Sequence, residues 1–182
     1  MLDVGGYEYY WRYFDQVPRV TMLNLDRSVR RTSEFDWVIA DARRMPFAEG
    51  AFDVVFANSI IEHVGDQASR QIFAAEVKRV GKRYYVQTPN QWFPVEPHLW
   101  TPFIHYLPAP LQKRLLRNFT VWGWLVRPTQ QGCDEFVDQV RLLTVPELKA
   151  LFPDAEIWKE RVLGCTKSLI AVSNPPNPGN PC

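Results

Sequence analysis

The chain has 182 residues, of which 46% are hydrophobic and 14% aromatic, enough apolar material for the core of one domain. Its formal net charge is +1, so no overall field attracts nucleic acid, and we expect no nucleic-acid partner. Three cysteines lie far apart without a CxxC spacing, which predicts neither a disulfide framework nor a metal site. No apolar stretch is long enough to span a membrane and no signal peptide is visible, so we expect a soluble, cytoplasmic protein.

The first predicted element is a short strand within LDVGG, residues 2–6, which runs directly into a glycine turn. A helix over residues 7–16 follows and ends before Pro18. Its helical spacing predicts an aromatic and apolar face packed on a sheet, formed by Tyr10, Tyr13, Phe14 and Val17. We therefore expect these aromatic side chains to be buried.

Three apolar runs then predict buried strands, and each run ends on a polar residue. They are 20–25 ending on Asp26, 37–40 ending on Asp41, and 52–57 ending on Asn58. Such runs fit parallel strands covered on both faces better than a sheet with one exposed face. Open α/β sheets bind ligands at the carboxyl ends of their strands. The three polar residues therefore mark one predicted binding edge.

The next helix and strand have clear boundaries. Asp66 is expected to cap a helix that ends at Gly81. Spacing places on its packed face Ile72, Phe73, Val77 and Val80. Residues 83–88 then predict a fifth strand, closed by Pro89-Asn90.

The C-terminal part predicts one more helix and a β-hairpin. Thr144 and Glu147 form a capping box that opens a helix through Leu151. The runs 155–162 and 167–172 flank a turn containing Gly164, which predicts an antiparallel pair. Residues 174–182 contain little to bury and are expected to form a disordered tail.

Several short motifs follow one another along the chain. They are Asp3-Val4-Gly5-Gly6, Asp41-Ala42, Met45-Pro46-Phe47, Phe52-Asp53-Val54-Val55, Asn58, Glu62-His63-Val64 and residues 84–90. Together they resemble the class I S-adenosylmethionine-dependent methyltransferases, and within them the type 11-like domains. The resemblance implies a Rossmann-like, doubly wound, seven-stranded, mostly parallel α/β sheet with strand order 3-2-1-4-5-7-6. Because the family usually has residues before its first strand, we also expect an N-terminally truncated domain.

The resemblance also implies where S-adenosylmethionine binds. The cofactor-binding residues would be Asp3, Gly5 and Gly6 in the loop, Asp26 at the ribose hydroxyls, Asp41 and Ala42 at the adenine, and Asn58 near the methyl end. The loop departs from the family pattern, since Tyr7 and Tyr9 stand at its next glycine positions. Either Gly5 and Gly6 alone make the turn, or cofactor binding is weakened.

The implied activity is transfer of a methyl group to a small-molecule, lipid or glycan acceptor, without a metal. His63 is a candidate general base because histidine titrates near neutral pH, and His98 is a second catalytic candidate. The alternative is a catalytically inactive, methyltransferase-like binding module or a truncated remnant. No obligate protein partner is evident.

Residues 91–140 form an insert that is rich in proline, tryptophan and leucine. It predicts a helical, substrate-covering element within a single domain of residues 1–173. Three interpretations stay open. The insert is a cap that packs on the sheet, or a lid whose aromatics Trp92, Phe93, Trp100, Phe103 and Tyr106 wall a pocket with Glu96, His98 and His105. In the third, residues 111–126 contact a membrane surface through Trp122, Trp124, Leu125 and Val126, with Lys113, Arg114 and Arg117 towards headgroups.

Overall fold

The computed structural model describes residues 1–15, 18–25 and 34–173, and a seven-stranded sheet forms its centre. The strand order is β3-β2-β1-β4-β5-β9-β8. Five strands are parallel, namely β1 (Leu2–Val4), β2 (Thr21–Asn24), β3 (Asp36–Ile39), β4 (Val55–Asn58) and β5 (Tyr84–Pro89).

The antiparallel part of the sheet is the predicted C-terminal hairpin. Its strands are β8 (Ala155–Val162) and β9 (Cys165–Ser173), and β9 pairs antiparallel with β5. Two further strands, β6 (Val95–Glu96) and β7 (Thr101–Pro102), pair with each other in the insert. Without these two, the order reads 3-2-1-4-5-7-6, so the predicted doubly wound fold is confirmed.

The principal core lies between the sheet and helices α2 (Gln67–Val80) and α6 (Val145–Leu151). Asp66 caps α2 by accepting a hydrogen bond from the Ser69 amide at 2.8 Å, as predicted. Phe73, Val77 and Val80 are fully buried, whereas Ile72 is exposed, so its expected burial is wrong. Neighbouring helical residues point about 100° apart, and Phe73 takes the core-facing direction.

The segment after the glycine turn differs from its prediction. Helix α1 (Glu8–Trp11) has only four residues, and its buried side chain is Glu8. The Glu8 carboxylate accepts a 2.8 Å hydrogen bond from Trp37 Nε1, which turns this side of α1 towards the sheet. Consequently the tyrosine side faces outward, and the expected burial of Tyr10, Tyr13 and Phe14 is wrong. Val17 lies outside the described residues.

The insert has its own small core. Its helices are α3 (Ala109–Phe119), α4 (Val121–Val126) and α5 (Gln130–Gln139). They enclose the buried side chains of Leu99, Ile104, Leu116 and Cys133. The insert helices therefore pack on one another around this core, and the interpretation of the insert as a cap stays a prediction.

The exposure of individual side chains bears on the membrane and lid interpretations of the insert. Trp122 packs against the insert's core, so it does not face a membrane, while Trp124, Leu125 and Val126 are exposed. Trp92, Trp100 and Phe103 are exposed, and their expected role as a pocket wall stays a prediction. Among the residues described, no helix has the length and apolar character needed to cross a bilayer.

Candidate cofactor and acceptor site

The glycine turn after β1 is made by Gly5 and Gly6 alone. Gly5 has φ +75°, and a Cβ added there would lie 2.0 Å from Ile60 Cδ1. A Cβ on Gly6 would lie 1.8 Å from Asp3 Oδ2. Tyr7 is extended, with φ −129°, so no tyrosine has to adopt the left-handed conformation. The first of the two alternatives for this loop therefore describes its shape.

The carboxylate of Asp3 is buried next to Gly6 of the turn. It is 3% exposed, and Oδ2 accepts a 2.7 Å hydrogen bond from Trp11 Nε1. Burial raises its pKa to about 6, although the hydrogen bond from Trp11 acts in the opposite direction. A cationic group entering here would find a negative charge that lacks solvent screening.

A first cavity of about 410 Å³ opens at the carboxyl ends of β1, β2 and β3. Gly5, Asn24, Asp41, Ala42 and His63 are among the residues that line it. The Asp41 carboxylate pairs with the Arg43 guanidinium at 2.6 Å, and hydrogen bonding to Arg43 lowers its pKa. Asp26 lies outside the described residues, so its expected place at the ribose stays a prediction.

Asn24 is a site residue that the sequence did not indicate. It is buried at the end of β2, and its Nδ2 donates a 3.4 Å hydrogen bond to the Gly6 carbonyl oxygen. This contact ties the second strand to the glycine turn. The signal in the sequence was that Asn24 is a polar residue near the end of an apolar run. The site residue predicted at this strand end is Asp26 instead.

A second cavity of about 870 Å³ adjoins the first. The two share the lining residues Gly5, Asn24, Ile60 and His63. The second adds Gly6 and the polar residues Asp3, Asn58, Ser59 and His98. It also adds aromatic residues that include Tyr10, Trp11, Tyr13, Phe14 and Phe56. Tyr10, Tyr13 and Phe14, which were expected to pack against the sheet, thus line this cavity.

Two histidines from distant segments meet at this cavity. His63 ends a 3₁₀ turn (Ile61–His63) after β4, and His98 follows β6 in the insert. Their rings are perpendicular, with centroids 5.0 Å apart. Nδ1 of His98 lies 2.7 Å from Glu96 Oε1. The third histidine, His105, instead bonds the Gln91 carbonyl oxygen through Nε2 at 3.0 Å.

The pKa values of the two imidazoles are shifted in opposite directions. Loss of solvation lowers the pKa of His63, and the charge of His98 lowers it further. Burial also disfavours the charged form of His98, but the hydrogen bond and charge of Glu96 outweigh burial and raise its pKa. His63 is therefore the better proton acceptor of the pair at neutral pH.

Glu62 is a second residue whose role the sequence concealed. It is fully buried, and its Oε2 accepts a 3.0 Å hydrogen bond from Thr88 Oγ1. Burial raises its pKa to about 7, despite hydrogen bonds that favour the charged form. The EHV stretch drew attention to His63, and no signal in the sequence pointed to a buried carboxylate beside it.

Comparisons with known proteins agree with this geometry. Residues 2–84 match a family model described as a methyltransferase domain. No curated protein matches the sequence. Among solved structures, an S-adenosylmethionine-dependent methyltransferase from Methanosarcina mazei aligns with TM-score 0.51 and 16% identity, over 94% of this chain and 91% of that one.

Two similar structures contain S-adenosylhomocysteine. The 1,6-didemethyltoxoflavin-N1-methyltransferase of Burkholderia thailandensis aligns with TM-score 0.54 and 15% identity, over 94% of this chain and 69% of that chain. The N-methyltransferase NodS of Bradyrhizobium japonicum aligns with TM-score 0.52 and 12% identity, over 96% of this chain and 76% of that chain. At these identities the likeness shows the fold. Together with the methyltransferase-domain match over residues 2–84, these structures show that the chain has the fold of class I, S-adenosylmethionine-dependent methyltransferases.

Proposed function

We propose that this chain transfers a methyl group from S-adenosylmethionine to a small-molecule, lipid or glycan acceptor. The observation that carries the proposal is the pair of adjoining cavities at the carboxyl ends of the parallel strands. The first cavity would hold the adenosine against Asp41 and Ala42, with Asp26 at the ribose. The second would hold the methionine end and the acceptor.

The polar residues of the second cavity suit the charges of the donor. The amino group of S-adenosylmethionine is cationic and would bind the buried Asp3 carboxylate. Gly5 and Gly6 let the backbone approach the cofactor closely. Asn58 lines the same cavity near the expected position of the methyl group. The aromatic faces of Tyr10 and Phe14 favour a cationic sulfonium and an acceptor with an apolar body.

The reaction needs alignment more than activation, because the methyl group is already bonded to a sulfonium. A lone pair of the acceptor attacks the methyl carbon in line, the carbon–sulfur bond breaks, and a neutral thioether leaves. For an oxygen or nitrogen acceptor, a proton must also leave. His63 is the candidate base, since its lowered pKa keeps it neutral, and His98 lies against it.

We further propose one domain over residues 1–173, with the insert (residues 91–140) as its substrate cap. The support is that residues from both ends of the insert reach the cavities. His98 lines the second cavity, while Asp138 and Gln139 at the end of α5 line the first. The insert therefore lies over both parts of the proposed site.

Calorimetric titration with S-adenosylhomocysteine tests the cofactor site. We expect Ala42→Phe to fill the first cavity and weaken binding at least about tenfold, equivalent to about 1.4 kcal/mol. Ala48→Phe is a matched control in the same connection, because Ala48 is exposed and lines neither cavity. Absence of binding by the folded wild type would contradict the proposal. Turnover with any acceptor would exclude the inactive binding module.

A further inference from the structure

Glu62, His63 and His98 form a compact group of metal-ligating side chains. One nitrogen or oxygen atom from each residue lies within 4.8 Å of the others. Ligand atoms around one ion are about 3–4 Å apart, since metal–ligand distances are about 2 Å. A bound ion would draw these atoms together from separations of up to 4.8 Å. The chain contains three histidines, and two of them lie here.

The buried carboxylate of Glu62 points to a missing partner. Its Oε2 accepts the hydrogen bond from Thr88, but its Oε1 is buried without a hydrogen-bond partner among the described residues. A buried polar atom left unpaired costs about 1–3 kcal/mol. Such atoms are uncommon in folded proteins unless a ligand satisfies them. A cation beside Oε1 would remove this cost.

Glu96 fixes the orientation of His98. It is 2% exposed, and its Oε2 accepts a 2.6 Å hydrogen bond from the Leu99 amide, which holds the carboxylate in place. Its Oε1 contacts His98 Nδ1 at 2.7 Å. This contact leaves the other ring nitrogen of His98 free to bind a metal. A carboxylate that holds the far nitrogen of an imidazole is typical of histidines that bind metals.

We propose that Glu62, His63 and His98 bind a divalent first-row transition-metal ion such as Zn²⁺. Two imidazoles and one carboxylate suit such an ion, whereas Mg²⁺ and Ca²⁺ prefer oxygen ligands. Three protein ligands leave a coordination position open. His63 and His98 line the 870 Å³ cavity, so that position faces the space proposed for the acceptor.

This site goes beyond the proposed methyl transfer, which requires no metal. With the ion bound, both histidines hold it and do not serve as bases. The ion would lower the pKa of an acceptor hydroxyl bound at the open position, so that the proton leaves more readily. The acceptors favoured by this arrangement carry a hydroxyl or another oxygen donor.

Cobalt(II) titration of the full-length, chelator-treated protein at pH 7.5 tests the site. We expect one equivalent of Co²⁺ with visible d–d absorption, displaced by Zn²⁺. Glu62→Gln and His98→Gln should weaken Co²⁺ binding at least about tenfold, about 1.4 kcal/mol. His105→Gln is the matched control, because His105 belongs to the same insert but bonds the Gln91 backbone. It should bind Co²⁺ like the wild type.

Several outcomes would overturn the site. These are no Co²⁺ binding by the folded wild type, binding that survives both substitutions, or a thiolate-to-cobalt band that assigns the ion to a cysteine. Circular dichroism checks that each variant folds, and His63→Gln replaces any variant that does not. Titration of the same metal-free protein with S-adenosylhomocysteine tests the cofactor site separately, so failure of one proposal is distinguishable from failure of the other.

Discussion

Replacing Asp3 with asparagine should make the protein more stable and the cofactor bind less tightly. Asp3 is buried, and its carboxylate accepts a hydrogen bond from Trp11 Nε1. Asparagine preserves the shape of the side chain and keeps an oxygen that can accept this bond. It removes the buried negative charge, which folding must desolvate and which the proposed function assigns to the cofactor's cationic amino group.

The magnitude follows from the pKa of Asp3, which burial raises from 3.8 to about 6 despite the Trp11 hydrogen bond. At about 1.4 kcal/mol per unit, this difference is about 3 kcal/mol. The folded protein holds the proton more tightly than the unfolded chain. Stability therefore falls as pH rises from about 4 to about 6, and the cost is complete above that range. A neutral amide accepts a weaker bond from Trp11, so we expect a gain of about 1–3 kcal/mol at pH 7.5.

Urea unfolding of wild type and Asp3→Asn between pH 4.5 and 8 measures this gain, and it should shrink as pH falls. Calorimetry at pH 7.5 should show S-adenosylhomocysteine affinity reduced about tenfold or more, since bonds to charged groups contribute about 1.5–3 kcal/mol. Asp53→Asn is the control, because Asp53 is an exposed acid paired with Lys82, and it should change neither quantity appreciably. A less stable Asp3→Asn at pH 7.5, or a pH-independent difference, would refute the reasoning.

Urea unfolding of three further variants tests the close approach at Gly6, the open space at Gly132 and the helix cap at Thr144. Gly6→Ala should destabilise the folded protein by about 1–3 kcal/mol, because the added Cβ would overlap the Asp3 carboxylate. Unchanged stability would contradict the close approach of Gly6 to Asp3. Gly132→Ala in α5 should instead stabilise by up to about 1 kcal/mol, since the added Cβ meets nothing closer than 3.5 Å, and a loss of stability would count against this. Thr144→Ala should cost about 1 kcal/mol by removing the capping box of α6, whereas Thr144→Ser should retain most of it.

The features that the sequence predicted well depend on neighbouring residues. Asp66 and Thr144 cap their helices as expected, because a cap hydrogen bond joins residues only three positions apart. The β8–β9 hairpin forms around its glycine turn for the same local reason. The strand order came from resemblance, since no spacing within a chain specifies which parallel strands pair.

The errors lie where one helical or aromatic pattern allows several orientations. The aromatic spacing after Gly6 fitted a packed helix, but hydrogen bonds of Glu8 and Trp11 to distant residues turned the opposite side inward. Likewise Ile72 and Phe73 were equally apolar, and packing selected Phe73. Long-range contacts decide between such choices, and a local pattern contains no record of them.

By itself, the sequence determined the parallel strands and the glycine turn, because continuous apolar runs and glycine conformation act over a few residues. Only the tertiary structure brought His98 and Glu96 of the insert against Glu62 and His63 after β4. Only it buried Asp3 and Glu62, and burial is the main cause of their raised pKa values. Desolvation and proximity are properties of the folded chain, so the chemistry of this site emerges at that level.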